Sequence, residues 1–598
     1  MATTETTGDG RAHHVGIDLG TTNCALAYTE TSPAGPVLAL DIPQVVRPGE
    51  VANRALLPSF TYLAGQGEFS EGSLDLPWAK NRDFAVGDFA RQQGGLIPTR
   101  MVGSAKSWLS HPGIDRRAPV LPWKSPEECR RVSPLDASSR YLTHLANAWD
   151  HSHPQNPLRD QDLVLTVPAS FDPEARELTL AAAKQAGLDR VLLLEEPQAA
   201  FYAWLDAQGD QWRRHVRVGD LILVCDVGGG TTDFTLISVN EEGGNLELTR
   251  LAVGNHILLG GDNMDLALAH AVNQGLAGKG TRLDHSQFLQ LAHSARQAKE
   301  ALLSQPDLAS AKFHVQGRGT KLIGGGISGE IPRSLLDAVL LEGFFPACKA
   351  EDEPRRQTAT GLQEVGLPYA TDAAITRHLA AFLSQHRGGK RVSAVLFNGG
   401  VFKSPLLRDR VQATLGSWFP GDPIRCLDSG DLEIAVAKGA ACYARARRHG
   451  GIRVRGGTAR SFYIGVEVPA PAIPGFAPPI KALCVVPFGM EEGTEGPVPG
   501  LELGLVVGEP VQFRFLGSNR RKDDAIGTSV EDWQDDIDEL TPLATTLEAD
   551  DPPGTRVPVR LHSRVTEVGT LELSCQGVRD HRRWKLEFQV RENDTTAN

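Results

Sequence analysis

Two stretches of this chain follow the same plan, and no other feature restricts its fold so tightly. Val15-Gly-Ile-Asp18-Leu-Gly20-Thr21-Thr22 runs into Asn23-Cys-Ala-Leu-Ala-Tyr28, and Leu221-Ile-Leu-Val-Cys-Asp226-Val-Gly228-Gly229-Gly230-Thr231-Thr232-Asp233 runs into Phe-Thr-Leu-Ile-Ser-Val239. Each is an apolar strand ending in aspartate, a glycine bend with paired threonines, and a second apolar strand. The copies lie about 200 residues apart, which predicts two similar subdomains facing one ligand. The match is local; no longer internal repeat accompanies it.

Around these copies strand and helix signals alternate, which predicts α/β layers. Asp172-Pro-Glu-Ala-Arg176 opens an alanine-rich helix that stops at Gly187 and follows a strand at 163–167. A strand at 191–194 precedes a helix from Pro197 to about Asp206. Helical text covers 284–304, a strand and glycine-rich connector 305–330, and further helix 331–387, broken by a charged loop at 350–357. A strand at 392–397 ends in Asn398-Gly399-Gly400, and a last helix opens near Asp431 and runs out near Arg448. Beyond His449-Gly-Gly-Ile-Arg-Val-Arg-Gly-Gly457 the period becomes two: Val511, Phe513 and Phe515, Leu571, Leu573 and Cys575, and Trp584, Leu586, Phe588 and Val590 alternate with polar neighbours. The expected organisation is a tail at 1–12, an α/β domain at 13–448, a linker at 449–459, a mainly antiparallel β domain at 460–592 and a tail at 593–598. The acidic stretch 519–554 reads as a long loop.

Charge and cysteine usage narrow the function. The 598 residues carry 61 basic against 73 acidic side chains, a net charge of −12, which argues against broad binding to nucleic acid or anionic lipid. No uncharged apolar run reaches the ~18 residues of a membrane-spanning helix, and the polar start MATTETTGDGR lacks the apolar core of a secretory leader, so a cytoplasmic protein is expected. The eight cysteines form no C-x-x-C pair and read as reduced core thiols, Cys24 and Cys225 beside the bends included. His13-His14 and His151-x-His153 lack partners at metal-ligand spacing. No G-x-S-x-G elbow supports a serine hydrolase.

Phosphate needs converging backbone N–H groups and small side chains that let it approach, and a glycine- and threonine-rich hairpin supplies both. Because ATP phosphates arrive with Mg²⁺, a carboxylate at the end of each strand can hold the waters of the metal while threonine hydroxyls hold phosphate oxygens. Neither bend is a Walker A loop or a Rossmann turn: there is no G-x-x-x-x-G-K-[ST], and a strand rather than a helix follows each bend. Gly278-Lys279-Gly-Thr281 lacks the earlier glycine.

With Leu259-Gly-Gly-Asp262, Asn398-Gly-Gly400, Val167-Pro168-Ala-Ser-Phe171, Glu195-Glu196-Pro197-Gln-Ala-Ala200 and Ala435-Val-Ala-Lys-Gly-Ala440, the two bends resemble the ATPase domain of the 70-kilodalton heat-shock chaperones over about residues 13 to 447. The β region matches that family only in architecture. The resemblance implies an α/β fold, a two-lobed actin-like ATPase domain of duplicated ribonuclease-H-like subdomains, followed by the antiparallel β domain. It implies ATP and Mg²⁺ as cofactors. Gly20, Thr21, Thr22 and Gly228, Gly229, Gly230 and Thr231 would bind phosphates, with Gly261 approaching them. Asp18 and Asp226 would organise the hydrated metal, and Glu196 would position the attacking water, with Asp226 and Thr231 sharing the catalytic work. Lys299 would touch the ribose, and Gly399 and Gly400 would pass beneath the nucleoside.

The departures from that family are specific. Its catalytic lysine lies in a Gly-Asp-x-Ala-Lys run, where this chain has Gly87-Asp88-Phe-Ala90-Arg91, so Arg91 stands at the catalytic position and slow or altered hydrolysis is expected. Lys106, in Ser104-Ala-Lys-Ser-Trp108, is the other candidate nearby, with a surface lysine as the ordinary reading. On the adenosine side Arg296 replaces a glutamate, and Val401 and Lys403 replace a serine and an arginine. Pro168 and Arg176 keep the proline and arginine that couple the lobes to the substrate domain, whereas the family's leucine-rich linker is not found and a β domain without the helical lid is expected. The expected activity is an ATP-dependent chaperone that couples slow hydrolysis to unfolded or client polypeptides, with a J-domain co-chaperone and a nucleotide exchange factor as partners. The alternatives are a metabolite kinase of the same superfamily and a nucleotide-gated scaffold or filament protein.

Overall fold

The computed structural model describes residues 11–589 apart from 32–34, 243–244, 318–325, 356–366, 450–453, 472–477, 491–493, 567–569 and scattered positions of one or two residues. Almost all of the expected tails and most of the expected linker at 449–459 lie outside the described residues. The chain divides into two compact units, Met1–Arg453 and Val454–Asn598.

In the first unit, His13–Leu19 and Asn23–Glu30 pair antiparallel around the first bend, and Asp162–Val167 and Val191–Glu195 extend that sheet in parallel. Leu221–Val227 and Thr232–Glu242 form the second hairpin, extended in parallel by Ala394–Asn398 and Arg425–Leu427. Leu38–Ala39 and Asn245–Val253 add an antiparallel strand on the other side of each hairpin. The order and sense of these five strands are therefore the same in both sheets. The duplication that the sequence shows only at the bends spans whole sheets. Parallel strands covered on both faces require little more than apolar side chains, as in Leu221–Val227, which is buried throughout, so only the bends keep a readable pattern.

Helices fill the layers. Pro173–Gln185 starts where the Asp172 carboxylate accepts the Ala175 N–H at 2.6 Å, with proline in the first turn. Glu196–Gln208 begins directly at the end of Val191–Glu195. On the second sheet, Leu223, Cys225, Phe234 and Leu236 pack with Met264 and Leu268 of the Gly261–Gly278 helix and with Leu291, Ala295 and Leu302 of His285–Ser304. The Ala435–His449 helix returns to the first sheet, where Ala437 is buried against Ala25 and Ala27. The stretch 305–330 holds an antiparallel pair, Ser310–Val315 with Ile327–Pro332, and the helical text beyond it forms Arg333–Asp337, a π-helical continuation Ala338–Phe344, and Ile375–His386.

The second unit is built from antiparallel strands. Ser461–Glu467 pairs with Ile480–Val486 and Phe515–Ser518, while Thr555–Val565, Thr570–Gly577 and Arg583–Gln589 form a second sheet. Phe462, Ile464, Leu483 and Val485 share one core with Val559, Leu561, Leu571, Leu573 and Leu586. The acidic stretch 519–554 is more ordered than a loop. It contains the strands Ser529–Val530, Asp538–Glu539 and Leu543–Thr546, because Trp533 and Ile537 are buried with Tyr463, Cys484 and Leu516 and anchor the chain there. Among the described residues no helix is long and apolar enough to cross a membrane.

Candidate functional site

Each bend is held by its own hydrogen bonds. Ser59 donates from its N–H to Thr22 O at 2.8 Å and from its hydroxyl to Gly20 O at 2.7 Å, fixing the first bend. Gly228 N–H donates to Thr231 O at 2.9 Å across the second, whose Gly228 and Gly229 carbonyls accept from Gly261 at 3.0 Å and Asp262 at 2.7 Å. The two bends face each other closely. A Cβ on Gly229 would stand 1.8 Å from Thr22 Oγ1, and one on Gly230 would stand 2.8 Å from both Thr21 Cγ2 and Ser107 Oγ. They open into a cleft of about 1160 Å³ whose walls include Gly20, Thr21, Thr22, Gly228, Gly229, Thr231, Gly261, Lys299, Gly399 and Gly400. Thr22 Oγ1, on the cleft wall, is buried with no partner of its own and remains for a ligand oxygen; Ser107 Oγ, beside Gly230, is likewise unpartnered.

Two carboxylates reach the cleft from equivalent places. Asp18 sits opposite Thr166 and accepts its hydroxyl at 3.0 Å; Asp226 sits opposite Asn398 and accepts its side-chain N–H at 2.6 Å. Burial raises both above the usual carboxylate range, and the neighbouring Glu196 carboxylate adds to the rise at Asp226. Glu196 is the first residue of its helix, yet it caps nothing there; its carboxylate is taken by the Lys106 ammonium. Burial pushes Glu196 up to about 7, against the pull of Lys106. Burial alone would lower Lys106, but Glu196 and Asp18 outweigh it and hold the ammonium above its usual range.

This crowd of carboxylates with one ammonium suits a hard divalent cation. Asp18 and Asp226 are all-oxygen donors, and Asn398 Oδ1 is buried without a partner. Among the described residues no three His, Cys, Asp or Glu side chains are placed to cage an ion alone. A cation here would complete its shell with water and ligand oxygens, as Mg²⁺ prefers.

Arg91 lines the same cleft but bonds Asp88 at 3.0 Å, a carboxylate also held by Arg54 at 3.1 Å, and its side chain is 34% exposed. Lys106 is no surface residue: its side chain is 7% exposed. Lys299 is buried, donating to Gly261 O at 3.0 Å and pairing with Asp265 at 2.7 Å. Arg296 pairs with Asp262 and Asp265. Arg176 lies beneath the Pro168 loop, donating to Ala169 O and Phe171 O at 3.2 Å and to Glu195 at 3.0 Å. Cys24 and Cys225 are both buried; burial pushes Cys24 up to about 12 and Cys225 well above the usual thiol range, which leaves little thiolate for redox chemistry. Sequence reasoning passed over Ser107 and the Asn398 side chain. The one available signal was a polar residue, Asn398, closing an otherwise apolar strand, where it faces Asp226 as Thr166 faces Asp18 in the first sheet.

A family model described as Hsp70 protein matches residues 116–337. Chaperone protein HscA of Photorhabdus laumondii is 28% identical over 442 residues, which cover 72% of this chain and 57% of that protein. Residues 116–337 are therefore similar to the Hsp70 family. Two further relatives are similar: Chaperone protein HscA of Serratia proteamaculans, 28% identical over 447 residues (72% of this chain, 57% of that protein), and the Chaperone protein HscA homolog of Acinetobacter baumannii, 32% over 300 residues (49% and 42%). The chain thus spans little more than half the length of these relatives.

Proposed function

We propose that the chain is an ATP-hydrolysing chaperone with a two-lobed, actin-like ATPase domain, active in the cytoplasm. The face-to-face bends carry this reading, since they bring two sets of small residues and the unpartnered Thr22 hydroxyl onto one cleft. Thr21, Thr22 and the Gly228–Thr231 bend would hold the phosphates, Gly261 would lie against them, and Lys299, Gly399 and Gly400 would line the nucleoside side. Asp18 and Asp226, oriented by Thr166 and Asn398, would hold Mg²⁺, which supplies charge neutralisation at the phosphate oxygens.

Glu196, raised towards neutrality by burial, is suited to orient water and to accept its proton. Lys106 is the cation at this carboxylate, and Arg91 stands on the cleft wall with Asp88. We therefore assign to Lys106 the work that the sequence pattern assigned to Arg91: fixing Glu196 and stabilising charge on the transferred phosphoryl group. The buried Arg176, bonded to the Pro168 loop and to Glu195, supplies a rigid route from the cleft towards a substrate-binding part. The β unit would bind exposed apolar polypeptide by adding it as a strand. A J-domain co-chaperone and a nucleotide exchange factor are the partners this scheme calls for.

ATP turnover measured with and without an unfolded peptide tests the scheme. Stimulation by about threefold or more is expected for a coupled chaperone; nucleotide binding with no peptide response would remove the coupling, and transfer of phosphate to a small metabolite would replace it with a kinase.

A further inference from the structure

One end of the second sheet, away from the cleft, gathers positive charge that nothing around it balances. Leu221–Val227, Ala394–Asn398 and Arg425–Leu427 run parallel and start level, Ile222 opposite Ala394 and Ala394 opposite Arg425. Asp226 and Asn398 lie at their far ends, so the connections that enter these strands meet roughly 15 Å from the cleft, at about 3.3 Å per residue. The first connection brings Arg213, Arg214 and Arg217, and the second brings Arg387, Lys390 and Arg391. Among the described residues none of these side chains is paired with a carboxylate.

The carboxylates described at this end do not supply the missing partners. Asp220 is taken by Arg425 at 2.6 Å, Arg391 meets the carbonyl of Asp422 and not its carboxylate, and Glu241 lies beyond Leu221–Val227 on the hairpin that returns from it. The C-terminus of Ile375–His386 accounts for Arg387, which bonds Lys390 O at 3.1 Å and lies over the Phe419 ring, but its field fades within a turn. The first connection is held firmly. Trp212 and Val216 are buried as anchors, Arg213 lies 4.7 Å over the Trp212 ring, Gly219 N–H donates to Val239 O at 2.8 Å, and Arg425 donates to His215 O at 2.5 Å. Beside Arg217, Val218 is 52% exposed, more than any other large apolar side chain described.

We propose that this basic edge is a docking surface for an acidic polypeptide segment that carries an aliphatic side chain among its carboxylates. Guanidinium groups match carboxylates with paired donors, and Val218 offers an apolar centre that a plain polyanion cannot use. A nucleic acid fits less well. The net charge of −12 repels a long polyanion beyond the edge itself, and the aromatic rings here, Trp212 and Phe419, are buried and closed to base stacking. The surface lies outside the cleft, so the proposal stands whether or not the cleft holds a nucleotide.

Fluorescence anisotropy of a labelled glutamate-rich peptide containing leucine, titrated with the full chain, tests it. Binding is expected with Kd below about 50 μM at low salt, weakening at least about tenfold in about 0.5 M salt. Combined Arg213→Glu, Arg214→Glu and Arg217→Glu should weaken it at least about 30-fold, and Val218→Ser about three- to fivefold. The glutamine version of the peptide should bind at least about tenfold more weakly. If the triple variant does not fold, Lys390→Glu on the second connection decides, with an expected loss of about threefold or more. No peptide binding, binding unchanged by charge reversal or by Val218→Ser, or equal binding of an oligonucleotide of matched charge overturns the proposal.

Discussion

Replacing Lys106 by methionine should slow single-turnover ATP hydrolysis by about 10²- to 10³-fold, the range for loss of one preorganised charge at a developing anion. Mg-ATP affinity should change by less than about tenfold, because the phosphates are held mainly by the bends. The physical reason is the buried pair. Lys106 is the ammonium that meets Glu196, and it is the second-largest influence on Asp18 after burial. Without it, the carboxyl group proposed to accept a proton from water is held up by burial with nothing to offset it. Stability should suffer less than for an ordinary broken buried pair, since Glu196 can escape by taking up a proton. Arg91→Ala is the control. It removes a partly exposed guanidinium bonded to Asp88, and the hydrolysis constant should stay within about threefold of wild type. Equal losses in the two variants would return the catalytic charge to Arg91.

Gly439→Ala should be the most damaging single methyl in the first unit. A Cβ there would stand 1.7 Å from Ala199 O and 2.9 Å from Ala203 N. The obstacle is backbone of the Glu196–Gln208 helix, so no side chain can swing aside and the two helices must separate. Overpacking a well-filled core costs about 1–3 kcal/mol and more where relaxation is blocked, so a loss of at least about 3 kcal/mol is expected by denaturant titration. The helix that would move also covers the first sheet, and the one it would push begins with Glu196, so hydrolysis should fall as well. Gly275→Ala is the internal comparison. That glycine lies in the Gly261–Gly278 helix with nothing within 4 Å of an added Cβ, and the change should stabilise by about 0.5–1 kcal/mol. Equal effects at the two positions would mean that the close helix crossing does not exist.

What the sequence disclosed and what it withheld divide along physical lines. The bends were readable because glycine, threonine and aspartate are required there for geometry and charge, and the Pro173–Gln185 helix because Asp172 and Pro173 mark its start. Two similar subdomains were expected from the bends, but the extent of the repeat beyond them was hidden because buried strands accept any apolar sequence. Lys106 was misread because its helix, Ala105–Leu109, is too short to show a period, and its partner lies 90 residues away. The ordered part of 519–554 was hidden because Trp533 and Ile537 are isolated apolar residues in acidic text, and only their burial reveals them as anchors. The basic edge of the second sheet fits no spacing at all, since parallel pairing alone brings its connections level.

The central claim is that a nucleotide triphosphate is gripped between the two bends. A crystal structure of the chain with Mg²⁺ and a non-hydrolysable ATP analogue tests it most directly. The account predicts β- and γ-phosphate oxygens within about 3 Å of Thr21, Thr22 and the Gly228–Thr231 N–H groups. Phosphates bound elsewhere, or contacts with one bend alone, would contradict it.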